Sequence, residues 1–350
     1  MAVAVSIIMP AYNAEKTIEK ALQSLINQTL KDIEIIVVDD KSKDDTRKIV
    51  SSFAEKDNRI HLVEKDINEG PSAARNLGTK IAKGEYIGFF DADDWCETDM
   101  FEKLYSGADG ADVAVCGFYH DSLEKDGSIG VQTIDKADES ITTSDKKEIV
   151  KWAAKLDSMR LFAFVWNKLY KADFIKKSGV EFELLMLNED YIYNCKVWES
   201  ISKLAIVEGA YYHYIKFSTE SLTQKFLPDY FEIIDKRYVL MRDMFEKANL
   251  FDGEMREIIC NMHIKHVFSG MVRNFNEKSG YTSSQQKQKI KEMLSHPDSI
   301  EAIKYASGKR KQEKICNLIF GTKSVALNYI FAKVVYNMQN SPNKLFDKLK

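Results

Sequence analysis

Three carboxylates stand within four positions, at Asp91, Asp93 and Asp94, directly after the apolar run YIGFF (86–90). Carboxylates this close disfavour one another's ionisation unless a cation or a proton lies among them. On an extended strand, residues two apart point to the same side, so Asp91 and Asp93 can face one ligand. Their oxygens suit Mg²⁺ or Mn²⁺, and an ion held by so few protein groups commonly shares its coordination shell with a phosphate. The alternative is an acidic turn that caps the next helix.

Short apolar runs rich in β-branched residues alternate with segments of helical period along the first 120 residues. The runs are apolar throughout, as expected when helices cover both faces of a parallel sheet. Between them, apolar residues recur at three- and four-residue steps, as on one face of a helix. We therefore predict an α/β fold with a doubly wound, mostly parallel sheet. The predicted strands are VSIIM (5–9), IEIIVVDD (33–40), IHLVE (60–64), YIGFF (86–90) and DVAVCGF (112–118).

In such sheets, ligands bind beyond the carboxyl ends of the strands. Three predicted strands end in polar residues: PAYN follows the first, DD ends the second and DADD follows the fourth. These ends lack the glycine-rich signatures of dinucleotide binding and of the P-loop. The stretch NEGPSAARNLG (68–78) instead offers a helix start and, one turn later, Arg75, which together can meet a diphosphate.

Four ordered stretches resemble the N-terminal half of the family 2 glycosyltransferases of the GT-A fold: VSIIMPAYNAEKTIEKALQSLINQT, IEIIVVDDKSKDDT, NEGPSAARNLG and YIGFFDADDW. The resemblance covers residues 3 to about 120, continues more loosely to about 225 and thins out beyond. It implies transfer of a sugar from a UDP-sugar to a hydroxyl of a saccharide acceptor, with inversion at the anomeric carbon. Similarity to bacterial capsule and cell-wall enzymes implies surface polysaccharide synthesis, with an acceptor that is free or lipid-linked.

The resemblance also implies roles for particular residues. The donor-binding residues that it implies are Pro10, Ala11 and Tyr12 at the nucleobase, Asp39 on its imide N–H, Asn68 and Arg75 on the base and phosphate sides, and Asp91 at the ribose or donor sugar. Asp93 matches the metal ligand, with Mg²⁺ or Mn²⁺ as the cofactor. Asp94 is expected to cap the following helix.

Transfer also needs a base, because an acceptor hydroxyl is a poor nucleophile until its proton starts to leave. The stretch LLMLNEDYIYNCKVW (184–198) resembles the Glu-Asp motif of the family. This implies that Asp190 is the general base and that Glu189 orients it or touches the acceptor. The alternative is a pair of ordinary acids that offset the dipole at a helix N-terminus.

Two later stretches suggest further contacts. FVWNKLYKADF (164–174) resembles an element that lies near the donor sugar, which implies that Trp166 packs on a sugar face; core packing is the equal alternative. In YYHYIKFSTESLT (211–223), His213 is a further candidate metal ligand. The alternative for His213 is a packed side chain among tyrosines.

From about residue 226 the apolar spacing becomes helical, with Phe231, Ile234, Tyr238, Met241 and Phe245 on one face. We predict a catalytic domain over 1–225, made of a nucleotide-sugar-binding half (about 1–120) and an acceptor half (about 121–225), followed by a helical region over 226–350. The last fifty residues hold ten Lys and Arg against three Asp and Glu. Helices lying on an anionic membrane, docking on the catalytic domain or forming a homo-oligomer are the open alternatives.

The composition excludes other classes of protein. The 350 residues carry a net charge of −3, and the first half has no basic cluster with interleaved aromatics, which argues against nucleic-acid binding. Five scattered cysteines and an N-terminus without a basic signal region predict a cytoplasmic protein, free or at the inner face of the membrane. The alternative functions are a non-catalytic nucleotide-sugar-binding protein and a metal-dependent phosphohydrolase. An aspartyl-phosphate hydrolase would need D-x-D-x-[TV] early in the chain, which DADDW does not provide.

Overall fold

The computed structural model describes residues 2–124, 128–185, 187–216, 227–308 and 311–340 of the chain. The chain divides into two compact units, Met1–Ser221 and Leu222–Lys350. The first unit holds a large sheet with its helices, and the described part of the second is helical.

Within the described residues, ten strands form one sheet: β1 (Val5–Ala11), β2 (Ile33–Asp39), β3 (Ile60–Glu64), β4 (Tyr86–Phe89), β5 (Trp95–Cys96), β6 (Val113–Leu123), β7 (Ile129–Asp135), β8 (Ile141–Thr143), β9 (Lys168–Lys171) and β10 (Leu204–Lys216). Their order is β3-β2-β1-β4-β9-β6-β10-β5, with β7 beside β6 and β8 beside β10. The ladders among β1 to β4 and between β6 and β10 are parallel, whereas β5, β7, β8 and β9 pair antiparallel. The predicted α/β class is confirmed, with a parallel first half of the sheet and a mixed second half.

The described helices of this unit are α1 (Ile18–Ile26), α2 (Thr46–Ala54), α3 (Pro71–Ile81), α4 (Met100–Ala108), α5 (Lys146–Ser158), α6 (Ala172–Ser178) and α7 (Glu189–Trp198). The chain moves from β1 outward to β3 and then returns to pair β4 with the opposite side of β1. Because such crossovers are right-handed, α1 and α2 lie on one face of the sheet and α3 lies on the other. The sheet is therefore doubly wound, as predicted.

Helix α3 packs directly on the central strand β1 through a glycine. A Cβ atom on Gly78 would lie 2.4 Å from Cγ2 of Ile8, which is too close for any side chain. The helix begins at Pro71 after Gly70, whose φ of +86° favours glycine. Both glycines belong to the NEGPSAARNLG stretch, so this motif sets the position of the helix as well as its chemistry.

In the second unit, the described helices are α8 (Tyr230–Lys247), α9 (Gly253–Arg273), α10 (Ser283–Ser295), α11 (Pro297–Tyr305), α12 (Lys311–Gly321) and α13 (Val325–Gln339). Ile234, Tyr238, Met241 and Phe245 of the predicted apolar face of α8 are buried. Helix α9 packs against both α8 and α11. Among the described residues, no helix combines the length and the apolarity that a membrane span requires.

Candidate active site

Most of the predicted site residues lie at one edge of the sheet. The strand order reverses between β1 and β4, and ligands bind at such a switch point beyond the carboxyl ends of the strands. Ala11, the last residue of β1, is paired in register with Asp39, the last residue of β2. Asp91 follows the end of β4 by two residues. The structure thus brings PAYN, DD and DADD together.

Arg75 joins two acidic motifs that lie far apart in the sequence. Its guanidinium group is buried, and its Nη2 donates to Oδ1 of Asp91 at 2.9 Å. The other terminal nitrogen, Nη1, donates to Oδ1 of Asp190 at 3.0 Å and lies 3.5 Å from Oε1 of Glu189. Three carboxylates therefore surround one cation, and the base predicted from the sequence lies beside the donor-side aspartate.

The charges around Arg75 shift each other's ionisation. Burial raises the pKa of Asp190, and the carboxylates of Glu189 and Asp91 raise it further, while Arg75 opposes them. Burial alone would lower the pKa of Arg75, but the three carboxylates more than offset that effect and raise it. Arg75 therefore stays charged, and Asp190 has a higher affinity for a proton than an exposed aspartate.

The three aspartates after β4 differ in how they are held. Asp94 is buried, with Oδ2 accepting from the Tyr212 hydroxyl and Oδ1 accepting from the Ile215 backbone N–H, both at 2.7 Å. It does not cap the next helix, because α4 begins later, at Met100. Both Asp94 oxygens already accept hydrogen bonds from residues of β10. Asp91 and Asp93 are therefore the two aspartates that can face a ligand.

A hard divalent cation fits this pair of carboxylates. Among the described residues, Asp91, Asp93 and Asp94 each place a carboxylate oxygen within 4.8 Å of the other two. Asp93 is exposed at the surface, and partial desolvation together with the neighbouring Asp91 charge raises its pKa. A cation between the carboxylates would remove that penalty, because it favours their ionised forms.

Asp39, at the end of β2, has a carboxylate oxygen without a hydrogen-bond donor among the described residues. Asp39 is buried, and its Oδ2 accepts from the Ser42 backbone N–H at 3.0 Å. Its Oδ1 is also buried and has no hydrogen-bond partner among the described residues. A buried oxygen without a donor costs free energy, so this atom is suited to accept from a ligand N–H. Tyr12, at the end of the adjacent strand, keeps 45% of its surface exposed, and Asn68 is also exposed.

Asp40 is a positioning residue that the sequence reasoning missed. Its buried carboxylate accepts from the backbone N–H groups of Glu69 and Gly70, at 3.0 and 2.6 Å, and from Nζ of Lys65 at 2.6 Å. It therefore fixes the loop that starts α3. The signal was the doubled Asp at the end of β2, in which one residue faces the ligand edge and the next holds the loop.

Trp166 does not offer a ring face to a sugar, in contrast to the prediction. It is only 2% exposed, and its ring stacks on Tyr212 at 4.2 Å and on Phe164 at 4.5 Å between centroids. The packing alternative holds here because the residue lies inside an aromatic cluster rather than at the sheet edge.

His213 is not available as a metal ligand. Its Nδ1 lies 2.7 Å from Oδ2 of Asp121, and its Nε2 lies 3.0 Å from Oε1 of Glu97. The ring is stacked between Trp95 and Tyr119, with centroid distances of 3.5 and 4.4 Å. Since both nitrogens already face carboxylates, the packed alternative is correct.

Lys168 and Asn194 hold the segment 161–164 and were also missed. Nζ of Lys168, fully buried, donates to the Leu161 carbonyl at 2.7 Å, and Asn194 donates to the Phe162 carbonyl at 2.8 Å. Burial lowers the pKa of Lys168 to about 7, although Asp190 opposes the shift. A lysine inside the otherwise apolar start of β9 was the available signal.

Comparison with known proteins identifies the family. Residues 6–168 match the model of the family described as Glycosyl transferase family 2. The uncharacterized glycosyltransferase EpsJ of Bacillus subtilis is 29% identical over 308 residues, covering 86% of each chain. The poly(ribitol-phosphate) beta-glucosyltransferase of Bacillus spizizenii is 31% identical over 257 residues, which cover 71% of this chain and 37% of that protein.

A solved structure shows the fold. The crystal structure of Staphylococcus aureus TarS residues 1–349 in complex with UDP-GlcNAc matches with a TM-score of 0.63 and 20% identity, covering 97% of this chain and 93% of that one. The fold is therefore the GT-A type that the sequence predicted. Residues 6–168 therefore form a domain of glycosyltransferase family 2.

Proposed function

We propose that this protein is an inverting, metal-dependent glycosyltransferase. It moves a sugar from a UDP-sugar to a hydroxyl of a saccharide acceptor in surface polysaccharide synthesis. The observation that carries the proposal is the bridge from Asp91 through Arg75 to Asp190. This bridge sets a donor-side carboxylate and a carboxylate with raised proton affinity beside each other at the switch point of the sheet.

The donor binds along the ends of β1, β2 and β4. Oδ1 of Asp39 accepts from the imide N–H of uracil, and Pro10, Ala11 and Tyr12 surround the base. Asn68 lies on the base side and Asp91 contacts the ribose or the donor sugar. Two observations support a UDP-sugar. One is the buried oxygen of Asp39 that has no hydrogen-bond partner among the described residues, and the other is the crystal structure of the similarly folded TarS in complex with UDP-GlcNAc.

Asp91 and Asp93 would hold Mg²⁺ or Mn²⁺. When bound, this ion supplies Lewis-acid stabilisation for negative charge on the leaving diphosphate. Arg75 was expected to contact the phosphates, but its terminal nitrogens already pair with three carboxylates. We assign it the role of a positioning residue that keeps Asp91 and Asp190 in place.

Asp190 acts as the general base. It takes the proton of the acceptor hydroxyl while the hydroxyl oxygen attacks the anomeric carbon from the face opposite the diphosphate. The bond from that carbon to the diphosphate oxygen breaks, and UDP leaves with the electron pair. One displacement inverts the anomeric configuration, and Glu189 orients the base or touches the acceptor.

The acceptor is a polymer or oligosaccharide, free or lipid-linked, that becomes part of a surface polysaccharide. The poly(ribitol-phosphate) beta-glucosyltransferase among the relatives supports a polymeric acceptor. Helix α13 exposes Leu327, Ile330 and Val334 at three- and four-residue spacing, which supports peripheral contact with an anionic membrane. Flotation with anionic but not neutral liposomes tests that contact. Absence of flotation with both would leave self-association of these helices as the alternative.

Titration of UDP into the full chain tests the donor site. We expect binding in Mn²⁺ and little in chelator, and at least about a tenfold loss in Asp93→Asn, which is about 1.4 kcal/mol. Asp173→Asn, at an aspartate that is 82% exposed on α6, is the matched control and should bind as the wild type does. Wild-type protein that binds no UDP in either condition would overturn the UDP-sugar proposal. Binding without turnover of any UDP-sugar would favour a non-catalytic binding protein.

A further inference from the structure

A second group of metal-ligating side chains lies in the helical unit. Asp235 on α8, His296 at the start of α11 and Asp298 on α11 each place a ligand atom within 4.8 Å of the others. Helix α9 adds His263, whose Nε2 lies 3.8 Å from Oδ1 of Asp235. Asp235, His296 and Asp298 therefore form one group of ligand atoms, with His263 beside Asp235, and none of these residues belongs to the site described above.

The distances do not describe a hydrogen-bonded cluster. Nδ1 of His296 lies 3.4 Å from Oδ1 of Asp235 and 4.0 Å from Oδ2 of Asp298. Among the described residues, neither the Asp235 oxygen nor the His296 nitrogen has a hydrogen-bond partner, although both atoms are buried. The ligands of a tetrahedral zinc ion are about 3.4 Å apart, given bonds of about 2.0–2.2 Å. The separations of 3.4 and 4.0 Å from Nδ1 of His296 to the two carboxylate oxygens are close to this spacing of metal ligands.

His263 provides an independent observation. Its side chain is 0% exposed, and within the described part of the chain neither ring nitrogen has a hydrogen-bond partner. An imidazole that points an unpartnered nitrogen at a carboxylate oxygen 3.8 Å away is suited to bind a metal.

We propose that Asp235, His296 and Asp298 bind a divalent transition-metal ion of the zinc class, and that His263, which faces Asp235, moves in as the fourth ligand. Two imidazoles and two carboxylates form the donor set of a four-coordinate site, and four protein ligands leave no open position for a substrate. The bound ion therefore has a structural role, in which it ties α8, α9 and α11 together.

Neighbouring side chains are arranged as the outer shell of such a site. Arg242 donates from Nη1 to Oδ1 of Asp298, which leaves Oδ2 facing His296. The His296 ring packs edge-on against Phe231 at 5.2 Å, and the His263 ring lies 4.2 Å from the Tyr238 ring. These contacts orient the ligands, as outer-shell residues do in metal sites.

The test is a zinc titration of the full chain after chelator treatment. Every protein carries Asp93→Asn, which weakens the separate carboxylate site of the first unit. The compared variants add Asp235→Asn or His296→Gln, with His61→Gln as the matched control, because His61 is half exposed on β3. Titration with Co²⁺ on the same proteins reports geometry through its visible absorption.

We expect one Zn²⁺ per chain and the absorption of tetrahedral Co²⁺ in the parent protein and in His61→Gln. In Asp235→Asn and His296→Gln, zinc affinity should fall by at least about a hundredfold and the cobalt bands should disappear. Equal zinc binding in all variants would overturn the proposal. The parent protein alone is also decisive: if it is folded by circular dichroism and binds no Zn²⁺, the group is a histidine–carboxylate cluster without a metal.

Discussion

Arg75 is a buried cation with three carboxylate partners, and this balance of charge has a cost if it is broken. Removing one partner of a buried ion pair leaves uncompensated charge and costs about 3–5 kcal/mol. We therefore expect Arg75→Ala to destabilise the first unit by about that amount and to abolish transfer. Denaturant titration followed by tryptophan fluorescence measures it, because all four tryptophans lie before residue 200.

Lys80→Ala is the matched control for Arg75→Ala. Lys80 lies on the same helix and pairs with Glu181, but both side chains are more than half exposed. An exposed pair contributes at most about 1 kcal/mol. The loss in Arg75→Ala should also shrink at lower pH, because protonation of the three carboxylates removes their repulsion. Equal small losses in the two variants would show that the carboxylates do not depend on Arg75.

The pH dependence of transfer tests the base. Asp190 accepts a proton only when it is ionised, and its pKa is raised, so activity should fall on the acidic side at a pH above the ordinary aspartate range. The carboxylate of Glu189 contributes to that rise. Glu189→Gln should therefore move the acidic limb of kcat to lower pH, as measured in a series of buffers at saturating donor.

Two further variants complete the pH experiment, one that removes the proposed base and one that serves as a control. Asp190→Asn should reduce kcat by about 10²–10⁴-fold and leave UDP binding intact, as expected for loss of a general base. Glu181→Gln, at an exposed glutamate, should leave the limb where it is. If the acidic limb of kcat stays at the same pH in Glu189→Gln but moves in Glu181→Gln, the group that titrates is not Asp190.

At the scale of the elements, the contact between α3 and β1 sets where Arg75 lies. Gly78 is one turn after Arg75, and a methyl group there would meet Ile8 of the central strand at 2.4 Å. Overpacking of this kind typically costs about 1–3 kcal/mol. We expect Gly78→Ala to lower the thermal midpoint measured by far-ultraviolet circular dichroism and to reduce transfer, because the helix must move away from the sheet.

Gly321→Ala is the control for this substitution. Gly321 is the last residue of α12, and nothing in the described part of the chain outside its own helix and its sequence neighbours lies within 4 Å of the position of its Cβ. An added methyl group there should leave stability unchanged or raise it slightly. If Gly78→Ala were equally neutral, the close approach of α3 to β1 would not constrain the site.

The sequence predicted the elements better than it predicted the contacts between them. The predicted strands correspond to β1, β2, β3, β4 and β6, because buried parallel strands produce apolar runs; β3, at the end of the strand order, is only partly buried. The bridge made by Arg75 could not be predicted, because Asp190 is 115 positions away in the sequence and meets it only through the fold. For Trp166 and His213 the sequence left a ligand contact and a packed side chain as alternatives, because a motif does not show whether its rings face the crevice or the core, and the structure shows the packed side chain for both.

The proposed metal site of the helical unit could not be predicted from the sequence for a related reason. Asp235 and His263 are 28 positions apart, and His296 lies a further 33 positions along the chain. Its partners come from α8 and α11. Only helix packing brings Asp235, His296 and Asp298 to one point.

At the scale of the whole molecule, every candidate donor-binding and catalytic residue lies within the first of the two compact units. Its sheet, its switch point and its bridged carboxylates are formed by residues of that unit alone. The proposed zinc ligands lie entirely within the second unit. Donor binding and zinc binding should therefore be separable properties of the chain.

Separation of the units tests this division. A fragment of residues 1–221 should bind UDP in Mn²⁺ with a Kd within about threefold of the full chain, a difference below about 1 kcal/mol. The same fragment with Asp93→Asn should lose that binding, which shows that the retained site is the proposed one. Isothermal titration measures both, after tryptophan fluorescence has shown that the fragment is folded. A folded fragment that binds no UDP, beside a full chain that does, would mean that the helical unit contributes to the donor site.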